Sequence, residues 1–330
     1  MINDKTKDLI EKTCKGKENI KLTIGIYEDE LTYIHVFDQT GEIPNENYIY
    51  EIGSITKTLT ASLLAKFITE EKMSLSDPIE KYIAGLECEK HYPTLKQLVT
   101  HTSGYHRFLP NEKCFRFKMV KGLISGKIKM GENLLNMDFS KMVHLIKENQ
   151  LENKDYPWCY SNFGIALVGY AIGSTSGLGY SETMNQFLSY DLNLKNSYTD
   201  TNRDKNLPGF CLSNENLGNW SWANNLMSPA GNISSTAQDL LEYARMNILD
   251  ERPYFTLCHQ KYVTAKKHDM GLGWILVKDK NHVIWHNGAT GGFRSFLAID
   301  KQKKCAVVVL ANYPVNTDKI GRSILADLQL

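Results

Sequence analysis

Hydrophobic and polar positions alternate along residues 20–27 and 31–37, both rich in β-branched residues, with the polar turn Glu28-Asp29-Glu30 between them. A period of two predicts half-buried strands, and the short polar break predicts a hairpin. From Ser54 the period changes. Leu59, Leu63, Leu64, Phe67 and Ile68 recur at spacings of three and four, which predicts a helix that buries a full apolar face. Thr94-Leu95-Lys96-Gln97 has the form of a capping box, so another helix should open there and stop near Ser103-Gly104. Residues 106–156 are less regular. Ser181 and Ser235 stand where N-caps are expected, the latter three residues before Gln238 and ahead of Leu240, Leu241 and Tyr243.

In the last third of the chain short strands are predicted over 273–277, 283–285, 293–299 and 306–310, joined by turn residues as an antiparallel meander. A final helix should run from about 316 to 328. Strands at both ends with helices between them imply an α+β protein. One antiparallel sheet is assembled from the two terminal segments and flanked by terminal helices, beside an inserted, mainly helical lobe. The expectation is a single domain over 1–330, with approximately 1–75 and 230–330 forming the α/β lobe and 76–229 the helical lobe.

Composition narrows the class. At 330 residues, 42% hydrophobic and 23% charged, the chain is long enough for a large core and ordinary for a globular enzyme. A formal net charge of +1 with scattered lysines gives no field for nucleic acid or an anionic membrane, so neither is expected as a partner. The basic run Lys301-Gln302-Lys303-Lys304 reads as a solvated turn. Seven cysteines, at 14, 88, 114, 159, 211, 258 and 305, are odd in number and contain no C-x-x-C pair, which argues for reduced, packed thiols rather than a disulfide framework or a zinc site. No H-E-x-x-H and no G-x-x-x-x-G-K-[ST] occurs, so neither a metal nor another cofactor is expected. The N-terminal Met1-Ile2-Asn3-Asp4-Lys5 is too polar for a signal peptide and no apolar run approaches a membrane span, from which a cytoplasmic location is expected.

The candidate chemistry starts at Ser54-Ile55-Thr56-Lys57. Three residues apart on a helix, the Ser54 hydroxyl and the Lys57 amine share a face, offering a nucleophile and a base within hydrogen-bond reach. A helix start adds free N–H groups and the positive dipole end, which favour a developing alkoxide. Tyr160-Ser161-Asn162 precedes a helical pattern over 163–170, and His286-Asn287-Gly288 ends the strand-like run over 282–285. Read one by one, these have plain alternatives: a solvated lysine, a core tyrosine, a capping asparagine, a structural histidine.

Together the three segments resemble the Ser-x-x-Lys, Tyr-x-Asn and Lys/His-x-Gly motifs of the serine β-lactamase and penicillin-binding protein superfamily, in the order of its class C branch. Leu98-Val99-Thr100-His101-Thr102-Ser103-Gly104 is similar to that branch's L-L-T-H-T-S-G stretch. Pro229-Ala230-Gly231 followed by Ser234-Ser235-Thr236-Ala237-Gln238-Asp239-Leu240, and Leu310-Ala311-Asn312-Tyr313-Pro314, resemble two more of its segments. The resemblance covers roughly residues 20–330. It implies the β-lactamase/DD-peptidase-like fold, with an active site in the cleft between lobes.

It also implies roles. Ser54 is the nucleophile of an acyl-enzyme, Lys57 or Tyr160 the base, and the backbone N–H groups of Ser54 and Ala289 the oxyanion hole. Asn162, Asn287 and Gly288 contact substrate, and Asn316 with Lys319 resembles an asparagine–arginine pair that contacts an anion in class C β-lactamases. His286 stands where most class C β-lactamases carry lysine, and histidine is typical of DD-peptidases and D-aminopeptidases. Asn287 replaces a threonine or serine whose hydroxyl commonly meets a substrate carboxylate, and Tyr156-Pro157-Trp158-Cys159 replaces a Pro-Gly turn.

The implied function is a metal-independent serine hydrolase of small-molecule or peptide amides such as β-lactams or D-amino-acid peptides. A promiscuous carboxylesterase shares every catalytic residue and stays open. An inactive binding or sensor protein would have no need to keep Ser54, Lys57, Tyr160 and His286 together.

Overall fold

A computed structural model describes residues 2–87, 89–107, 137–199, 206–222 and 224–329. The chain opens with helix α1 (Asp4–Cys14) and the hairpin β1 (Leu22–Glu28) and β2 (Leu31–Asp38), extended by β3 (Gly41–Ile43). After β4 (Tyr50–Glu51), a single 3-10 turn (Gly53–Ile55) leads into α2 (Thr56–Thr69). The middle of the chain supplies α3 (Leu95–Val99), α4 (Phe139–Glu148), α5 (Asn162–Ser176) and α6 (Tyr180–Gln186), then β5 (Gly209–Phe210) and β6 (Asn216–Gly218). Next come β7 (Ser234–Ser235), α7 (Ala237–Ile248) and α8 (Pro253–His259). The short strands β8 (Val263–Thr264), β9 (Asp269–Met270) and β10 (Ile275–Val277) precede the long ones, β11 (Lys280–Ala289), β12 (Arg294–Asp300) and β13 (Cys305–Ala311). Helix α9 (Thr317–Leu328) closes the fold.

The nine-stranded antiparallel sheet has the order β3-β2-β1-β13-β12-β11-β10-β9-β8, so the first and last segments of the chain meet where β1 pairs with β13, Ile24 opposite Val309. Both faces are covered, which is why β13 reads as a continuous apolar run rather than an alternating one. Ala306, Val308 and Leu310 face a core shared with α2 and α7, while Val307, Val309 and Ala311 face α1 and α9 through Ile10, Ile320 and Ile324. The two terminal helices lie together, Thr6 Oγ1 2.9 Å from Ser323 Oγ.

Helix α2 is buried almost all round. Its polar residues survive there because they are bonded: Thr58, Thr60 and Ser62 return their hydroxyls to the carbonyls of Ile55, Thr56 and Thr58, and Ser62 meets the Tyr243 hydroxyl at 2.9 Å. The result is a stiff rod under the cleft.

Some boundaries differ from the pattern. The capping box at Thr94 and Gln97 forms, but α3 ends at Val99 because His101 takes a left-handed φ of 62° and turns the chain. The cap of α7 is Thr236, whose hydroxyl accepts from Asp239 N at 3.1 Å, and Ser235 belongs to β7. Ser181 lies inside α6, which Gly179 precedes at a φ of 79°. Strand β11 runs past Trp285 to Ala289, because its ladder to β12 continues through His286↔Leu297 and Gly288↔Ser295. The five described cysteines are free thiols, four of them buried, while Cys88 and Cys114 and most of the irregular 106–156 stretch lie outside the described residues. Among the described residues no helix is long and apolar enough to cross a membrane.

Candidate active site

Two glycines bring the turn carrying Ser54 against the sheet. Gly53 has a φ of 50°, and a Cβ there would approach Ala289 N to 2.6 Å. A Cβ on Gly288 would collide with the Ile52 carbonyl oxygen and the Ser295 hydroxyl and come within 2.8 Å of Ser54 N. Only a chain without side chains at both positions lets the 3-10 turn carrying Ser54 pack on the end of β11. Ser295 Oγ then donates to the Ile52 carbonyl at 2.7 Å and locks that contact. The Ser54 and Ala289 amides, the pair that the family resemblance implies as an oxyanion hole, are thereby brought to the same contact.

A Gly288→Ala variant should therefore push β11 off the turn, costing on the order of 1–3 kcal/mol of stability as overpacking and at least about tenfold in acylation rate as the two amides separate. Melting temperature and acylation kinetics check this; an alanine tolerated without loss in either contradicts the packing described.

Lys57 is fully buried. Its Nζ lies 2.9 Å from Ser54 Oγ and donates to the Ala230 carbonyl at 2.5 Å, and it sits 5.0 Å from the centre of the Tyr160 ring. No carboxylate within ion-pair distance compensates it among the described residues. Burial holds its pKa well below the usual 10.5, helped by the Arg107 charge. Tyr160 immediately precedes Ser161, whose hydroxyl caps α5 by accepting from Gly164 N at 2.9 Å, so the helix start fixes the phenol. Burial pushes the Tyr160 pKa up to about 12, offset in part by a hydrogen bond with Ser54 and by Arg107, whose guanidinium lies 5.1 Å over the ring.

Two histidines flank that ring. His286 Nδ1 bonds to the Asn287 carbonyl at 2.7 Å, which puts the proton on Nδ1 and leaves Nε2 a buried acceptor with no partner among the described residues. Burial first, then the neighbouring Lys57, pushes the His286 pKa down to about 3. His101 is 4.7 Å from the Tyr160 ring, and its Nδ1 accepts from Ser161 N at 3.2 Å, so its proton is on Nε2. Burial and the Lys57 and His286 charges hold His101 well below its ordinary pKa. Both rings are neutral at physiological pH. His101 had no role in the sequence reading, though it stood within the 98–104 segment that carried part of the resemblance.

A cleft of about 530 Å³ opens over Ser54, with Tyr160, Asn162, Gly288, Ala289 and Asn316 on its walls. Asn287 is there too, its amide donating to Asp318 Oδ2 at 2.8 Å. Asn316 also caps α9, its Oδ1 accepting from Lys319 N at 3.0 Å. Lys319 does not join the site: it is exposed on α9, outside the cleft, and Asp318 lines the wall instead. Trp158 packs on His268 with ring centres 4.5 Å apart, whereas Trp220 and Trp222, unmarked by any sequence motif, line the cleft. No cluster of three His, Cys, Asp or Glu able to hold a metal occurs among the described residues.

The family model described as Beta-lactamase matches residues 26–330. A Beta-lactamase of Pseudomonas fluorescens is 24% identical over 320 residues, covering 83% of this chain and 82% of that protein. The D-alanyl-D-alanine-carboxypeptidase/endopeptidase AmpH of Escherichia coli K12 is 26% identical over 314 residues, covering 84% and 74%. The solved octameric penicillin-binding protein homologue from Pyrococcus abyssi superposes with a TM-score of 0.80 at 21% identity, covering 98% of this chain and 77% of that one.

Proposed function

The chain belongs to the Beta-lactamase family, and from that premise we propose that it is a serine hydrolase that works through an acyl-enzyme on Ser54. The observation that carries this reading is Lys57: a fully buried amine with no carboxylate partner among the described residues, 2.9 Å from a hydroxyl that opens to a cleft. Burying an uncompensated amine is costly, and the cost is relieved by leaving the amine neutral. A neutral amine has a lone pair, which takes the Ser54 proton as Oγ attacks an acyl carbon, while one of its N–H groups stays on the Ala230 carbonyl.

The tetrahedral oxyanion is held by the Ser54 and Ala289 amides. Tyr160, protonated at neutral pH, relays a proton to the leaving group, and Asn162 holds the substrate amide in register. Water then repeats the sequence on the acyl-enzyme. Neutral His286, its ring centre 6.2 Å from that of Tyr160, positions the phenol by packing rather than by supplying charge. The substrates proposed are amides related to β-lactams and D-amino-acid peptides, with activated esters accepted at the same serine.

The test is hydrolysis of a penicillin, a D-aminoacyl anilide and a short-chain aryl ester, followed from about pH 4 to about pH 10. Activity should fall on the acid side as Lys57 takes a proton, because the protonated amine has no lone pair to offer. Since His286 is already neutral throughout this range, His286→Asn should lower the rate without moving that acid limb. A limb that shifts or vanishes in His286→Asn would assign the ionisation to the histidine, and absence of turnover on all three substrates would overturn the hydrolase reading.

A further inference from the structure

We propose that Asp318 is the counter-ion for a cationic group of the substrate, so that the cleft takes acyl compounds carrying an ammonium beside Asn287 and disfavours those carrying a carboxylate there. The inference rests on the hydrolase reading and narrows its substrate class.

Asp318 lines the same cleft as Ser54 and Ala289. Its Oδ2 accepts from Asn287 Nδ2 at 2.8 Å, which aims the carboxylate at β11 and commits one of the amide's two N–H groups to an acid within the protein. Among the described residues no lysine, arginine or histidine comes within ion-pair distance of it. Arg322 acts on it only from farther away, its guanidinium lying 4.6 Å over the Trp285 ring, and Lys319 is exposed outside the cleft. The cleft's own cations are held elsewhere: Arg107 lies over Tyr160, and Arg294 Nη1 donates to the carbonyls of Thr290 and Phe293 at 3.0 and 2.6 Å. A half-buried carboxylate with no cation at ion-pair distance among the described residues lines the space a substrate must enter, and burial raises its pKa.

Asp318 also lies in the first turn of α9, where the helix dipole favours an acid. The dipole would be served by an acid anywhere in that turn, and Asn316 already caps it. It gives no reason for the carboxylate to be tied across to Asn287 on the catalytic strand. A substrate ammonium does, since a charge held by a fixed hydrogen bond in a partly dry cleft attracts a cation and repels an anion, and specificity follows from both.

The experiment uses aryl thioesters identical but for one terminal group, trimethylammonium, tert-butyl or carboxylate, placed on the acyl half in one set and on the thiol half in another. Thiol release gives kcat/KM for the full chain and for Asp318→Asn and Asp318→Glu. Labelling of Ser54 by an aryl fluorophosphonate reports in each case that the site is folded. In one of the two sets the wild type should prefer trimethylammonium over tert-butyl by about tenfold, a difference typical of one well-placed charge, and over carboxylate by more. Asp318→Asn should bring the trimethylammonium to tert-butyl ratio to within about twofold, and Asp318→Glu should restore part of it.

Equal or better turnover of the carboxylate thioester in both sets, or an unchanged ratio in a labelled Asp318→Asn, overturns the proposal while leaving the hydrolase reading standing. Failure of the wild type both to label at Ser54 and to release thiol overturns the hydrolase reading and this inference with it.

Discussion

Ser54→Ala is expected to lower hydrolysis by at least about a thousandfold and to abolish covalent labelling, with the fold unchanged. The large effect follows from the geometry. On the proposed mechanism Ser54 is delivered by a turn that two glycines wedge against β11, next to the amides that would hold the oxyanion and 2.9 Å from the amine that would take its proton. With the hydroxyl gone, water has no equivalent position from which to attack. The small effect on stability follows as well. Ser54 is only partly buried, and Lys57 keeps its bond to the Ala230 carbonyl, so the loss is confined to the hydroxyl's bonds with Lys57 and Tyr160, about 1 kcal/mol each. Thermal melts of the two proteins should overlay within a few degrees, while acylation is confined to the wild type.

Lys57→Met is the sharper variant because activity and stability should move in opposite directions. Hydrolysis should fall by about a thousandfold or more, since the other group bonded to Ser54, the Tyr160 phenol, keeps its proton at neutral pH, its pKa pushed up to about 12 by burial. Stability at neutral pH should rise by about 1–2 kcal/mol, because an unbranched apolar side chain of similar length fills the site without the desolvation cost of an amine. The pH dependence has a definite sign. Lys57 in the folded chain sits well below its usual 10.5, so below that value the unfolded state binds a proton that the folded state does not. The wild type is therefore penalised at neutral pH, and the penalty fades as pH rises toward the unfolded value. The gain from Lys57→Met, measured by denaturant unfolding, should shrink between about pH 8 and about pH 10. A Lys57→Met protein that is less stable at neutral pH would mean that the lysine is structural.

The site was legible in the sequence where its geometry is local. Ser54 and Lys57 declare themselves because the 3-10 turn running straight into α2 keeps them on one face, and Tyr160 because it stands beside a helix cap. The sheet was legible because its core strands are long apolar runs. What the sequence does not display is contact over distance. Asp318 meets Asn287 across 31 positions, and Ser161 meets His101 across 60. The family resemblance pointed to Lys319 beside Asn316, yet Asn316 is spent in part on capping α9, and the turn it starts sets Asp318 against the strand and Lys319 in solvent.

Trp220 reaches the cleft because its backbone N–H donates to Glu51 Oε1 at 2.7 Å, a tie 169 residues long that no periodicity reveals. Strand β11 was read as ending at Trp285 because polar and glycine positions break its apolar run. Those positions are His286, Asn287 and Gly288, where the sheet edge serves the cleft rather than the core. The local pattern breaks at these candidate site residues, as is common where chemistry rather than packing dictates the side chain.

The most direct test of the account is intact-protein mass after brief exposure to an activated aryl ester and an acid quench, with peptide mapping of the adduct, on the wild type, Ser54→Ala and Lys57→Met. One acyl group on the Ser54 peptide of the wild type is predicted, absent from Ser54→Ala and formed at least about a hundredfold more slowly in Lys57→Met. An adduct that persists in Ser54→Ala, or that maps to another residue, would contradict it.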